Sequence, residues 1–106
     1  MKRVELEVFG VPWSVQLTDE KEPLKAAGKV CKGCTHYKDA EIYISVDTSA
    51  RDKRRLLAHE LSHAFLYETQ VELKERYTEE DLCEFIAKFG DRIIKEVERI
   101  MTIWES

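Results

Sequence analysis

The chain has 106 residues, 43% apolar and 36% charged, with a formal net charge of -4. That length holds one ordinary domain with one core, so 1-106 is read as a single unit. The acidic balance speaks against direct nucleic-acid binding, which needs a concentrated basic face. The short run Arg51-Asp52-Lys53-Arg54-Arg55 reads instead as a solvated helix start.

No apolar run approaches the roughly 20 residues of a membrane span, and Met1 to Glu7 does not resemble a signal peptide. Three cysteines, an odd number, suit a reducing compartment better than a disulfide framework. The expectation is a cytoplasmic protein.

In chain order, Val4, Leu6 and Val8 alternate with Glu5 and Glu7, the period of a half-buried strand. Gly10-Val11-Pro12 supplies a turn, and Trp13, Val15 and Leu17 alternate again, so the two segments form a hairpin. Thr18 to Lys29 reads as a loop with one helical turn, and Cys31 to Asp39 as polar and irregular. Ile42, Ile44 and Val46 mark a third strand.

Ser49-Ala50-Arg51-Asp52 has the form of a capping box. It opens a helix whose apolar residues Leu56, Leu57, Leu61, Ala64 and Phe65 recur at helical spacing. Thr78-Glu79-Glu80-Asp81 is a second capping box. It opens a helix with Leu82, Phe85, Ile86 and Phe89 on one face. Gly90-Asp91 is expected to break or bend this helix before Ile93, Val97, Ile100, Met101 and Trp104 continue the stripe. Strands first and helices second make an α+β domain, with a three-stranded sheet packed on two helices.

The first helix contains Leu56-Leu57-Ala58-His59-Glu60-Leu61-Ser62-His63-Ala64-Phe65. His59 and His63 are i and i+4, with Cβ atoms about 5–6 Å apart on one face. Both imidazoles can therefore reach one Zn2+. Glu60, one residue round the helix, is placed to accept a proton from water activated by that metal. Every flanking residue from Leu56 to Phe65 is uncharged, which keeps such a site dry. The rival reading is a surface helix that happens to carry two histidines.

This His-Glu-x-x-His stretch resembles the zincin metallopeptidase signature. Within zincins, the preceding strand Ile42–Val46, the segment His59 to Leu66 and the later Phe85-Ile86-Ala87 resemble the ImmA/IrrE-type metallo-endopeptidases and their small phage-borne relatives. The resemblance covers roughly residues 28–89. It implies a minimal zincin-like fold and zinc-dependent hydrolysis of peptide bonds with Glu60 as general base. The implied substrate is a protein or peptide, of which a transcriptional regulator is one candidate. It also implies a third ligand, usually Glu, from the following helix. Glu80 is chosen there, with Glu84 behind it to orient a ligand histidine, whereas the ImmA-type alignment selects Asp81 instead.

The alternative keeps the fold without turnover: a catalytically weak or inactive zincin-fold binding or regulatory protein with a zinc site. Cys31-x-x-Cys34, with His36 nearby, is weighed as a second metal site and read as loop thiols, because no second such pair exists. Tyr37, Tyr43, Tyr67 and Tyr77 are able to polarise a carbonyl but read as packing groups.

Overall fold

Strict alternation of apolar and charged residues builds the first hairpin. In the computed structural model, which describes residues 2–69 and 77–106, β1 (Arg3–Val8) pairs antiparallel with β2 (Val11–Thr18). Val4, Leu6 and Val8 are buried while Arg3, Glu5 and Glu7 face outward. The turn lies one residue earlier than the sequence reading placed it. Phe9 and Gly10 both have positive φ, 51° and 80°, while Val11 and Pro12 already belong to β2. Two successive positive-φ residues match the right-handed twist of the flanking strands. Phe9 tolerates this conformation in a packed setting: its ring lies edge-on to Phe65 and Phe89 at 5.5 and 5.1 Å, under the Arg92 guanidinium.

The loop expected over Thr18 to Lys29 has more structure than one helical turn. A 3-10 turn at Glu22–Leu24 leads into a small hairpin of β3 (Lys25–Ala26) and β4 (Lys29–Val30). Leu24 is buried, and its carbonyl accepts the Cys31 amide at 2.8 Å.

The three-stranded sheet is corrected by one strand. Gly33–His36, within the segment read as irregular, forms β5, which pairs antiparallel with β6 (Glu41–Ser45). β6 runs parallel to β2, giving a mixed four-stranded sheet in the order β1-β2-β6-β5. β5 was missed because Gly-Cys-Thr-His lacks an apolar alternation; all four residues are half-buried on both faces.

Helix α1 (Ala50–Thr69) starts where the Ser49 hydroxyl accepts the Asp52 amide at 3.1 Å. It crosses the sheet with Leu57, Leu61, Ala64 and Phe65 buried. Trp13 Nε1 donates to Glu68 Oε2 at 2.7 Å, fixing the last turn of α1 to β2. Helix α2 (Glu79–Glu105) opens with both bonds of the expected capping box, between Thr78 and Asp81. The predicted break at Gly90-Asp91 does not occur: α2 is continuous, since one glycine weakens a helix by only about 1 kcal/mol and packing on either side outweighs it. Ile93, Val97, Ile100, Met101 and Trp104 complete the core made with Val15, Ile42 and Ile44 of the sheet. Among the described residues, no helix is long and apolar enough to cross a membrane.

Candidate metal centre

The site is a product of α1 lying over β5. Helical spacing puts His59 and His63 on the outer face of α1, and their Nε2 atoms converge to 3.2 Å, with ring centroids 4.8 Å apart and nearly perpendicular. Two imidazoles on one tetrahedral zinc, at Zn–N distances of about 2.0–2.1 Å, hold their nitrogens about 3.3 Å apart. The pair thus fits a shared ion with little movement. His59 is exposed and His63 half-buried, so the nitrogens are reachable from solvent.

Glu60 points elsewhere. At 6% exposure it is one of the few buried polar residues, and its carboxylate lies against β5. Thr35 Oγ1 donates to Glu60 Oε1 at 2.7 Å. Gly33 makes the approach possible: a Cβ there would stand 3.2 Å from Glu60 Oε2 and 3.2 Å from Ile44 Cδ1. In β5, Gly33 and Thr35 therefore face Glu60, while Cys34 and His36 alternate to the other side. Sequence reasoning missed both Gly33 and Thr35. The available signal was Gly and a β-branched residue two apart, which only a strand assignment for 33–36 turns into a shared face.

The cysteines look away from the histidines. Cys34 Sγ lies 3.8 Å from the Lys25 carbonyl and Cys31 Sγ 4.0 Å from that of Lys29, over the β3–β4 hairpin. His36 Nε2 is 2.7 Å from the Pro23 carbonyl. Burial pushes the Cys34 thiol above the ordinary cysteine range, and the charges of Glu60 and then Cys31 push it further.

The acids of α2 do not meet the histidines. Glu80 is exposed, and Glu84 reaches Lys88 at 3.5 Å. Asp81 Oδ2 accepts the Thr78 amide. Among the described residues, no three His, Cys, Asp or Glu side chains are grouped to hold a metal ion. The structure therefore brings together His59 and His63, turns the Glu60 carboxylate to β5, and does not group Glu80 with them.

Of the tyrosines, Tyr37 has a ring contact with the pair. Its ring is edge-on to His63 at 6.3 Å and lies 5.0 Å from that of Tyr67. The two tyrosines line a shallow cavity of about 440 Å3 with His36, Lys38 and Asp39. Tyr43 is on the sheet face away from α1, beside His36 at 5.2 Å and donating to Glu41 at 3.2 Å. Its phenol is pushed up by burial and then by the Glu41 charge.

Compared with protein-family models, curated proteins and solved structures, the chain has no match.

Proposed function

We propose that the chain is a zinc-dependent peptidase of the zincin type, with His59 and His63 holding the metal and Glu60 acting as general base. The observation that carries this reading is the 3.2 Å convergence of the two Nε2 atoms on a helix that also carries a buried carboxylate held by a hydroxyl. Zinc, when bound, supplies a Lewis acid that polarises a carbonyl and makes water more acidic.

The rest follows from the chain's own residues. Glu60 takes a proton at a carboxylate oxygen and returns it to the leaving amine of the cleaved peptide bond. The Thr35 hydroxyl holds Oε1, which leaves Oε2 as the proton acceptor. Gly33 keeps that oxygen clear of side-chain bulk. Peptide is the favoured substrate class because β5, beside Glu60, is an edge of the sheet. Its outer backbone groups suit pairing with an extended chain. Glu80 is the proposed third ligand, with Glu84 behind it, and Asp81 the competing choice. A transcriptional regulator remains the candidate protein substrate, and the cytoplasm the proposed compartment.

A second reading, a zinc-holding regulatory protein with little or no turnover, is favoured by one observation. Among the described residues no acid joins the two histidines. One variant set separates the two readings. Zinc content should fall sharply in His59→Ala and His63→Ala and persist in Glu60→Gln. For a peptidase, Glu60→Gln lowers cleavage of a denatured protein substrate by about 10²–10⁴-fold. Unchanged cleavage removes Glu60 from the chemistry, and equal zinc in all three variants removes the metal site.

A further inference from the structure

On a different part of the surface, α1 and the first half of α2 leave a groove of about 380 Å3. Its lining includes Ala58 and Ser62 of α1 and Ile86, Gly90, Ile94 and the Lys95-paired Asp91 of α2. Leu82, Ile86 and Ile94 are 50%, 66% and 55% exposed. With Gly90 they recur every fourth residue, which makes one ridge along the helix.

Gly90 is the unexpected member. A glycine inside a helix lowers its intrinsic stability, yet among the described residues nothing requires one here. A Cβ at Gly90 would meet only Ile86 Cγ2, at an ordinary 3.4 Å. Its effect is to leave a notch of bare backbone between two protruding isoleucines.

Among the described residues, the ends of the groove carry opposite charge. α1 and α2 run antiparallel, with Arg54 bonded to Glu98 at one end and Phe65 beside Phe89 towards the other. Arg51 and Arg55 share the flank of α1 that carries Ala58 and Ser62. Both are exposed, and neither has an ion pair among the described residues. At the opposite end, Glu79 is exposed and equally without an ion pair among the described residues.

We infer that this groove is a two-fold interface between copies of the chain, made by antiparallel contact of the first halves of their α2 helices. A two-fold rotation reverses the helix direction. It seats Ile86 of each copy in the Gly90 notch of the other and sets Leu82 against Ile94. It also brings the acidic first turn of one α2 to the Arg51 and Arg55 end of the other copy. A partner of uniform charge is repelled at one end of this groove, whereas a rotated second copy is matched at both.

Sedimentation equilibrium of the full chain, from micromolar to about 1 mM and at low and high salt, tests the interface. The expected result is a monomer–dimer equilibrium that weakens as salt rises. Ile86→Glu and Gly90→Leu each weaken it at least about tenfold, a loss of roughly 1.4 kcal/mol. Circular dichroism should stay native, because Ile86 is exposed and a Cβ at Gly90 meets only the exposed Ile86 side chain. Arg55→Glu also weakens association, and Arg55→Glu with Glu79→Arg restores it. The inference is overturned by a chain that remains monomeric throughout. It is equally overturned by a dimer indifferent to both Ile86→Glu and Gly90→Leu, or by a charge swap that fails to restore association.

Discussion

The two halves of α2 carry the same apolar periodicity and meet opposite surroundings. From Ile93 to Trp104 the stripe is buried against the sheet and α1, whereas Leu82 and Ile86, on the continuation of that stripe, are exposed. Phe85 and Phe89 lie between these extremes, packed at the margin of the core. Periodicity therefore dictates that a helix forms and which side is apolar; what covers that side depends on how far the sheet and α1 extend beneath it. The carboxylates repeat the lesson. Glu60 reads as the general base and Glu80 as the chosen third ligand of one site, but Glu60 is enclosed by β5 and Glu80 is exposed in the first turn of α2.

The largest expected effect tests the two halves of α2 directly. Ile100→Ala removes fully buried methyl groups and should cost about 2–5 kcal/mol in urea unfolding at low protein concentration. Ile86→Ala, measured the same way, should stay within about 0.5 kcal/mol. Similar losses at the two positions would mean that the first half of α2 is covered after all.

A smaller effect separates the two carboxylates. Thr35→Val leaves the buried Glu60 carboxylate without its hydroxyl donor and should cost about 1–3 kcal/mol at neutral pH. Glu80→Ala should lie within about 0.5 kcal/mol of wild type, although its zinc affinity should fall by more than that of Asp81→Ala if Glu80 is the third ligand.

Thiol chemistry sharpens the same contrast. The Cys34 thiol is pushed up by burial and by the Glu60 charge, so near pH 8 less of it is thiolate. Iodoacetamide should label Cys34 more slowly than the exposed Cys83, with each site read by peptide mass spectrometry. In zinc-stripped Glu60→Gln the like charge is gone, the Cys34 pKa falls back, and its labelling should accelerate. No acceleration would show that Glu60 does not act on Cys34.

The smallest expected effect is none. Because Cys31 and Cys34 face the β3–β4 hairpin, replacing both with serine should leave about one zinc per chain. Loss of zinc from a folded double variant would overturn the proposed ligand set.

Features that neighbours along the chain decide were legible in the residues alone. Alternation over Val4 to Val8 marked β1, the i, i+4 interval placed His59 beside His63, and the Thr78 and Asp81 side chains closed their own capping box. In each of these, the interacting groups are separated by a few residues of regular backbone, so spacing alone fixes their geometry. Whatever required contact across the chain was settled only on folding. The polar segment at Gly33–His36 became a strand because β6 offered it an edge. Glu60 turned inward because that strand brought a hydroxyl and a glycine 25 and 27 positions away to its carboxylate. Gly90 did not end α2, because packing of the turns on either side holds the helix together. Periodicity is a property of one segment, whereas burial is a property of two, and the second segment is settled only when the chain folds.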